Sequence, residues 1–396
     1  MATSLAIILL LGLLFNDIFQ KIKMPGLLGM LILGVLIGPY GLNLLGPEIM
    51  SISSDLRKIA LIIILLRAGF GINREDLNKV GKTALKLSCI PGLIEGFLIA
   101  LVSTKVLGFS FIQGGILGFI LAAVSPAVVV PQMLDFMKRR LGTNKGIPTL
   151  ILAGASIDDV FAITIFSTFL ALYSGKNANI AINLLGIPIS IILGISLGVI
   201  IGIILIVLFK NYHIRDSKKV LIILGTAIIL TTLENILKNK IQIAALLGVM
   251  TIGFIIVEKL PDVGRRLALK FDKIWVFAEI LLFVLVGAQV NVSVALNGGV
   301  KGIIIIVLGL IGRSIGVLIS LIGTELNFNE RLFCVISYIP KATVQAAIGA
   351  VPLSLGVNGG ELILAIAVLS IIITAPLGAI GISKSGEKLL TVELID

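Results

Sequence analysis

The stretch that decides the fold is AAVSPAVVVPQML, residues 122–134, which lies inside a long apolar run. Pro126 and Pro131 have no backbone N–H, and each proline ring clashes with the preceding turn of a helix. The carbonyls near Ala122 and Ala127 are therefore expected to lack helical partners. A break of this kind in an apolar helix needs either a polar function or a packed neighbour.

The surrounding sequence indicates the class of protein in which this break occurs. Of 396 residues, 58% are hydrophobic and only 13% are charged, and the mean hydropathy is +1.16. Apolar stretches of about 20 residues, the length of a membrane-spanning helix, follow one another from end to end. Residues 1–19 lack the basic start and cleavage site of a signal peptide, so we expect them to be a true span. The sequence predicts an all-α polytopic membrane protein.

Apolar runs between charged or Gly-, Pro- and Asn-containing loops predict about thirteen spans. The predicted spans are residues 3–20, 25–42, 56–72, 83–106, 110–135, 147–173, 180–209, 218–237, 241–257, 274–290, 301–323, 330–351 and 361–382. If the N-terminus is outside, 22 of the 32 Lys and Arg residues fall on the inner side, which favours a cytoplasmic C-terminus. The net charge of +11 is then explained by short basic loops beside anionic lipid rather than by nucleic-acid binding.

A second interruption, SYIPKATVQAAIG at residues 337–349, lies in the twelfth span and contains Pro340 and Lys341. The two breaks occupy the fifth span of the first six and the fifth span of the last six. An odd offset between the halves gives them opposite orientation, which is typical of a transporter built from inverted repeats with crossed broken helices. We therefore expect one transport unit over residues 1–396, with repeats at 1–173 and 218–382 and a linker helix at 180–209.

Two adjacent acids, Asp158 and Asp159, lie near the middle of the sixth span, in GASIDDVFAITIFS at residues 154–167. Neighbouring helical positions point about 100° apart, so the two carboxylates can serve different neighbours. Intramembrane acids are costly and usually mark ion paths. A proton and a cation are expected to compete for this pair, which is the behaviour of a cation/proton exchanger. Further oxygen ligands are available on the same helix from Ser156, Thr164 and Ser167.

Three more charges lie near the middle of predicted spans. Glu95 and Arg313 occupy the fourth span of each half, so an inverted repeat would bring them together as a pair. The alternative is that Arg313 pairs with Asp158. Lys341 either offsets the negative ends of two half-helices or extends toward the interface.

Other polar residues are expected to have ordinary roles. Glu234 and Glu279 are candidates for an ion pathway, but both lie nearer span ends and are expected to be structural. Arg67 either lines an inner funnel or fixes packing. Cys89 and Cys334 lie in apolar runs without a CxxC motif or a nearby histidine, so neither a zinc site nor a disulfide is indicated. No cofactor is expected.

Five segments together resemble the NHA-type sodium/proton antiporters of the monovalent cation/proton antiporter superfamily. They are LLRAGFGI (65–72), AVSPAVVVPQML (123–134), GIPTLILAGASIDDVFAIT (146–164), ILLFVLVGAQVNV (280–292) and IPKATVQAAIGA (339–350). The resemblance implies the NhaA-type antiporter fold and a homodimer with a dimerisation domain and a mobile core that moves like an elevator. It also implies exchange of Na⁺ or Li⁺ for H⁺ at Asp158 and Asp159, with Arg313 opposite them and paired with Glu95. Thirteen spans match the shorter prokaryotic relatives, whereas animal members have an additional N-terminal span.

The sequence therefore predicts a Na⁺(Li⁺)/H⁺ antiporter, not an enzyme, in a prokaryotic plasma membrane. The cation would bind Asp158 and Asp159, and backbone oxygens of Ser125, Ala127 and Val128 would complete its shell. A K⁺/H⁺ antiporter or K⁺ efflux system on the same scaffold is the main alternative. Such systems usually carry a cytosolic nucleotide-binding domain, and only about a dozen residues follow the last span.

Two further function classes fit the sequence less well. An intramembrane aspartyl protease needs its two aspartates on separate helices, whereas these are neighbours on one helix. A sodium-coupled symporter of organic anions would need a larger polar cavity than these spans can line.

Overall fold

The computed structural model describes residues 1–22, 24–72, 74–174, 180–237 and 243–392. These residues form seventeen α-helices and no β-strand, apart from an isolated bridge between Leu141 and Val392. Four basic residues used in the orientation argument lie outside the described part of the chain: Lys23, Lys176, Lys238 and Lys240.

The helices follow one another with short connections. In chain order they are α1 (Ala2–Lys21), α2 (Gly26–Ile37), α3 (Pro47–Ser51), α4 (Ser53–Gly71), α5 (Arg74–Val106), α6 (Phe111–Leu121), α7 (Pro126–Lys138), α8 (Ile147–Tyr173), α9 (Ile180–Asn211), α10 (Asp216–Leu237), α11 (Ala245–Lys259), α12 (Pro261–Ala288), α13 (Val292–Ser320), α14 (Phe328–Ser337), α15 (Thr343–Ile348), α16 (Val351–Ser354) and α17 (Gly360–Leu389). Helical segments cover each of the thirteen predicted spans. Among the described residues, seven helical segments are long and apolar enough to cross a membrane.

The structure departs from the predicted bounds where charged turns extend a helix beyond its apolar run. Thus α5 and α12 begin well before residues 83 and 274. Likewise, α13 begins at Val292, before the eleventh predicted span, and it has a kink at Gly299, where φ is 51°. This backbone conformation favours glycine, so the kink has a local cause.

Both predicted interruptions are real breaks. The first lies between α6 and α7, where Pro126 cannot continue the helix and Ser125 is the N-cap residue of α7. The second lies between α14 and α15, around Pro340. Each leading half-helix begins with a capping box, Ser110 with Gln113 in α6 and Asn327 with Glu330 in α14. The broken elements are thus stabilised at their starts as well as interrupted in their middles.

The helices pack mainly within two groups. Group A contains α1–α4 and α9–α12, and group B contains α5–α8 and α13–α17. Close approach within group A depends on small residues: a Cβ added to Gly253 of α11 would lie 2.7 Å from the Leu66 carbonyl oxygen of α4. Small residues at such crossings let apolar helices approach closely where the hydrophobic effect does not drive association.

Ion pairs join the two groups at two places in the described chain. Arg74 of α5 in group B binds Glu258 of α11 in group A at 3.1 Å. The second is a cluster around Asp272, which we name the Asp272 bridge. Asp272 of α12 binds Arg67 of α4 at 2.7 Å within group A and Lys138 of α7 at 2.8 Å across to group B. The Arg67 guanidinium also lies over the ring of Trp275, 5.3 Å from its centroid. These three charged residues line a recess of about 240 Å³. Arg67 therefore lines a recess and also packs against Asp272 and Trp275.

Candidate cation and proton site

The two broken helices meet at their breaks. The Ser125 N–H donates to the Pro340 carbonyl at 2.8 Å, so the first break is bonded directly to the second. The side-chain amide of Gln345 donates to the carbonyls of Ile120 at 2.9 Å and Ala123 at 3.1 Å. Backbone groups released by the breaks are thus largely satisfied by the partner segment, as burial requires.

Arg313 of α13 occupies the centre of this crossing and is about 1% exposed. It donates to Glu95 Oε2 at 2.8 Å and to Asp158 Oδ2 at 3.0 Å. It also donates to the carbonyl oxygen of Ala122, which the first break releases. Both pairings considered from the sequence are therefore present at once, and the arginine binds three acceptors.

Lys341, in the second break, is equally buried. Its ammonium lies 2.6 Å from Glu95 Oε1 and donates to the Leu121 carbonyl at 2.5 Å, at the C-terminus of α6. Its backbone N–H donates to Thr374 Oγ1 at 3.0 Å. The lysine thus places its charge at the negative end of a half-helix, where a cation is stabilising.

Glu95, Asp158, Arg313 and Lys341 together form what we name the four-charge network. Two acids face two bases, so the network is formally neutral, and each member is at most about 1% exposed. Paired in this way, buried charges avoid the large cost of isolated ones.

The two adjacent aspartates have different surroundings. Besides Arg313, Asp158 Oδ2 accepts the Val124 N–H at 2.7 Å, and its other oxygen lies close to Gly92 of α5, where a Cβ would be 3.3 Å away. Asp159 is half-buried, and its Oδ1 is buried without a hydrogen-bond partner among the described residues. Asp158 is thus held in the network, whereas Asp159 lies outside it.

Asp159 faces a cavity of about 250 Å³ between groups A and B. Its polar lining consists of Ser156, Asp159, Thr164, Ser167, Ser190 and Glu234. Apolar side chains such as Leu61, Leu65 and Ile163 complete the wall. The acid therefore has an oxygen-lined approach on one side and apolar packing around it.

The three residues predicted to supply backbone ligands are not on the cavity wall. Ser125, Ala127 and Val128 are buried, while Pro126 between them lines the cavity. The Ser125 carbonyl accepts the Val129 N–H, and the Val128 carbonyl accepts the side chain of Gln132 at 3.3 Å. Their part in binding a cation stays a prediction.

Glu234, expected from the sequence to be structural, lies on the cavity wall although it is near a helix end. Other residues of the site were not singled out from the sequence. Tyr338 places its ring 5.3 Å from the Arg313 guanidinium carbon. Thr374 and Gln345 bind the breaks from elsewhere in the chain. Of these residues, only Gln345 could have been found from the sequence, because a glutamine beside a break in a membrane helix suggests a donor for the freed carbonyls.

The chain is similar to known transporters over most of its length. The profile of the family described as "Sodium/hydrogen exchanger, transmembrane" matches residues 5–384. Human sodium/hydrogen exchanger 9B2 is 33% identical over 392 residues, covering 93% of this chain and 70% of that protein. Human sodium/hydrogen exchanger 9B1 is 32% identical over 354 residues, covering 86% of this chain and 67% of that protein.

The fold has a counterpart among solved structures. The sodium proton antiporter MjNhaP1 from Methanocaldococcus jannaschii matches with a TM-score of 0.79 over 97% of both chains, at 23% sequence identity. This likeness shows the antiporter fold. The resemblance drawn from the five sequence segments is confirmed, and the chain is a multi-pass membrane protein that belongs to the sodium/hydrogen exchanger family, a family of cation/proton transporters.

Proposed function

We propose that the chain exchanges Na⁺ or Li⁺ for H⁺, and that both ions use the carboxylate of Asp159. The observation that carries this is the contrast between the neighbouring acids. Asp158 is bound by Arg313 and by the Val124 N–H, whereas Asp159 has neither contact and lines the cavity. Oδ1 of each acid is buried without a hydrogen-bond partner in the described chain, but of the two acids only Asp159 can offer this oxygen to an ion in the cavity. A proton or a cation can satisfy that oxygen, and the two exclude one another.

The chemistry of the cavity supports a small, hard cation. Carboxylate and hydroxyl oxygens line the path, which suits alkali-metal ions better than transition metals. Asp158 would orient its neighbour and contribute negative potential, and the four-charge network would keep the helix breaks in place. Ser125, Ala127 and Val128 would complete the ion shell only after a local rearrangement of the first break.

Alternating access is part of the proposal. The cavity lies between groups A and B. A shift of group B against group A would close the cavity and expose Asp159 to the opposite side of the membrane. Residues 1–173 and 218–382 would be the inverted repeats, each giving its first three spans to group A and its last three to group B, with 180–209 as linker. We also propose a homodimer in a prokaryotic plasma membrane with the N-terminus outside. In that orientation the cavity would open outward.

Ion-driven proton movement in proteoliposomes tests this function. With a pH-sensitive dye inside, Na⁺, Li⁺ and K⁺ are added in turn to wild type and to Asp159→Asn. Asp135→Asn is the matched control, because Asp135 is an exposed acid paired with Arg139 on the same helix. We expect proton flux with Na⁺ or Li⁺ in wild type and the control, and none in Asp159→Asn.

Each other outcome has a definite meaning. Equal or stronger flux with K⁺ would replace the proposal by K⁺/H⁺ exchange on the same scaffold. Absence of flux with every cation, or normal flux in Asp159→Asn, would refute the assignment of Asp159 as the exchange site.

A further inference from the structure

The cavity beside Asp159 has a second carboxylate on its wall, that of Glu234. Glu234 is half-buried on α10, in group A, whereas Asp159 is on α8, in group B. Lys58 of α4 donates to the Thr231 carbonyl at 3.2 Å, one turn earlier on α10, and ties that helix to its group. The two acids therefore face one cavity from different groups.

The wall between the two acids is suited to a partly hydrated cation. Hydroxyls of Ser167 and Ser190 line the same space, and one comes from each group. Apolar side chains around them lower the local dielectric constant, so a carboxylate in such a cleft attracts counter-ions more strongly than one on an open surface. The wall of the cavity thus carries a second carboxylate besides that of Asp159.

We propose that Glu234 is a cation-positioning residue that captures the ion on the cavity side before it reaches Asp159. This inference rests on the proposed function. Because Glu234 and Asp159 lie in different groups, the movement that exposes Asp159 to the opposite side of the membrane separates them. Glu234 therefore assists loading from one side only, and its role is directional.

The test measures the apparent KM for Na⁺ from each side, in right-side-out and inside-out membrane vesicles. Glu234→Gln removes the charge and keeps the size of the side chain. We expect the apparent KM on the cavity side to rise roughly threefold or more at low ionic strength, and less at high salt. On the other side of the membrane, the apparent KM is expected to stay at its wild-type value. The maximal rate is expected to stay unchanged on both sides.

Two further variants separate a positioning role from a folding role. Glu361→Gln removes the same charge from an exposed helix start away from the cavity, and its apparent KM is expected to stay at the wild-type value. Glu234→Asp keeps the charge, and it is expected to retain a cavity-side KM near that of wild type.

The possible failures are distinguishable. An unchanged KM in Glu234→Gln, or an equal rise on both sides, would overturn the directional role of Glu234 while leaving Asp159 as the exchange site. A rise in Glu234→Asp as large as in Glu234→Gln would also overturn it, because geometry rather than charge would then matter. Normal exchange in Asp159→Asn would instead overturn the function on which the inference rests.

Discussion

At the scale of single residues, the site divides two identical side chains into different roles. Asp158 accepts hydrogen bonds from Arg313 and from the Val124 N–H, and it balances one charge of the four-charge network. Asp159, one position later, takes part in no ion pair of that network and lines the cavity. The helical rotation of about 100° between neighbours is enough to separate an acid held in the network from one that faces the cavity.

This division predicts unequal effects of the same substitution on the free energy of unfolding. Asp158→Asn removes a buried partner of Arg313, and breaking a buried pair in this way costs about 3–5 kcal/mol. Asp159→Asn removes an acid without such a partner, so the free energy of unfolding should change by less than about 1 kcal/mol. Denaturant titration of both variants in mild detergent measures the difference. Equal losses of stability would contradict the separation of roles.

The sequence predicted much of this site because its strongest signals are local. Charges inside apolar spans are rare and need partners, which was sufficient to bring Glu95, Arg313 and Asp158 together. This signal could not decide between Glu95 and Asp158 as the partner of Arg313, because the guanidinium has enough donors to bind both. Residue types also gave no sign that Asp159, rather than Asp158, would face the cavity.

At the scale of the elements, the two broken helices stabilise one another. Gln345 of α15 donates to two carbonyls around the end of α6, and the Ser125 N–H donates to Pro340. Neither break could persist alone in an apolar layer, because unsatisfied backbone groups there cost several kcal/mol. The crossing is therefore a single cooperative unit built from two distant parts of the chain.

Removing the amide of Gln345 should weaken this crossing. Gln345→Leu leaves the Ile120 and Ala123 carbonyls without that donor, and we expect a loss of about 1–3 kcal/mol in unfolding free energy. Gln113→Leu is a matched control at the other end of α6, where the side chain completes an exposed capping box and should cost about 1 kcal/mol or less. Thermal unfolding of the two variants compares their losses of stability. A larger effect at Gln113 would refute the importance of the crossing.

Both breaks were predictable because proline acts through covalent geometry, which needs no tertiary information. Of their partners, Gln345 had a sequence signal because it follows one break closely, whereas Thr374 had none because it meets that break only after distant helices pack. The starts of α5 and α12 were missed for a related reason. Hydropathy measures where the apolar layer ends, whereas a helix continues for as long as its backbone bonds are made.

At the scale of the whole molecule, the Asp272 bridge holds groups A and B together beside a recess, while the cavity separates them elsewhere. Lys138 belongs to group B and Asp272 to group A, so the proposed shift of group B against group A would break their contact. Arg67 lies in the same group as Asp272 and would keep its partner. In the proposed cycle, the bridge would therefore favour the arrangement in which the Asp159 cavity is open.

Cutting the bridge should shift the balance of conformations. In a Cys89→Ser/Cys334→Ser background, a cysteine at Ser167 reports access to the cavity through its rate of labelling by a membrane-impermeant maleimide. Lys138→Met should slow this labelling roughly twofold to fivefold, because an exposed ion pair contributes up to about 1 kcal/mol. The measurement compares labelling from the cavity side before and after the substitution.

Arg139→Met is the control for this prediction. Arg139 binds Asp135 and Glu387, which lie in group B with it, so its contacts move with the group. Labelling at Ser167 should therefore stay at the wild-type rate. Equal slowing in both variants would show that loss of positive charge, rather than loss of the bridge, is responsible.

The formal neutrality of the four-charge network has a consequence for energetics. If Asp159 alone trades its proton for a monovalent cation, one positive charge crosses in each direction during a cycle and no net charge is displaced. The membrane voltage, which acts on displaced charge at about 2.3 kcal/mol per elementary charge per 100 mV, then neither drives nor opposes exchange. The protein would work as a coupling between two concentration gradients, and the steepest cation gradient it could sustain would equal the proton gradient across the same membrane.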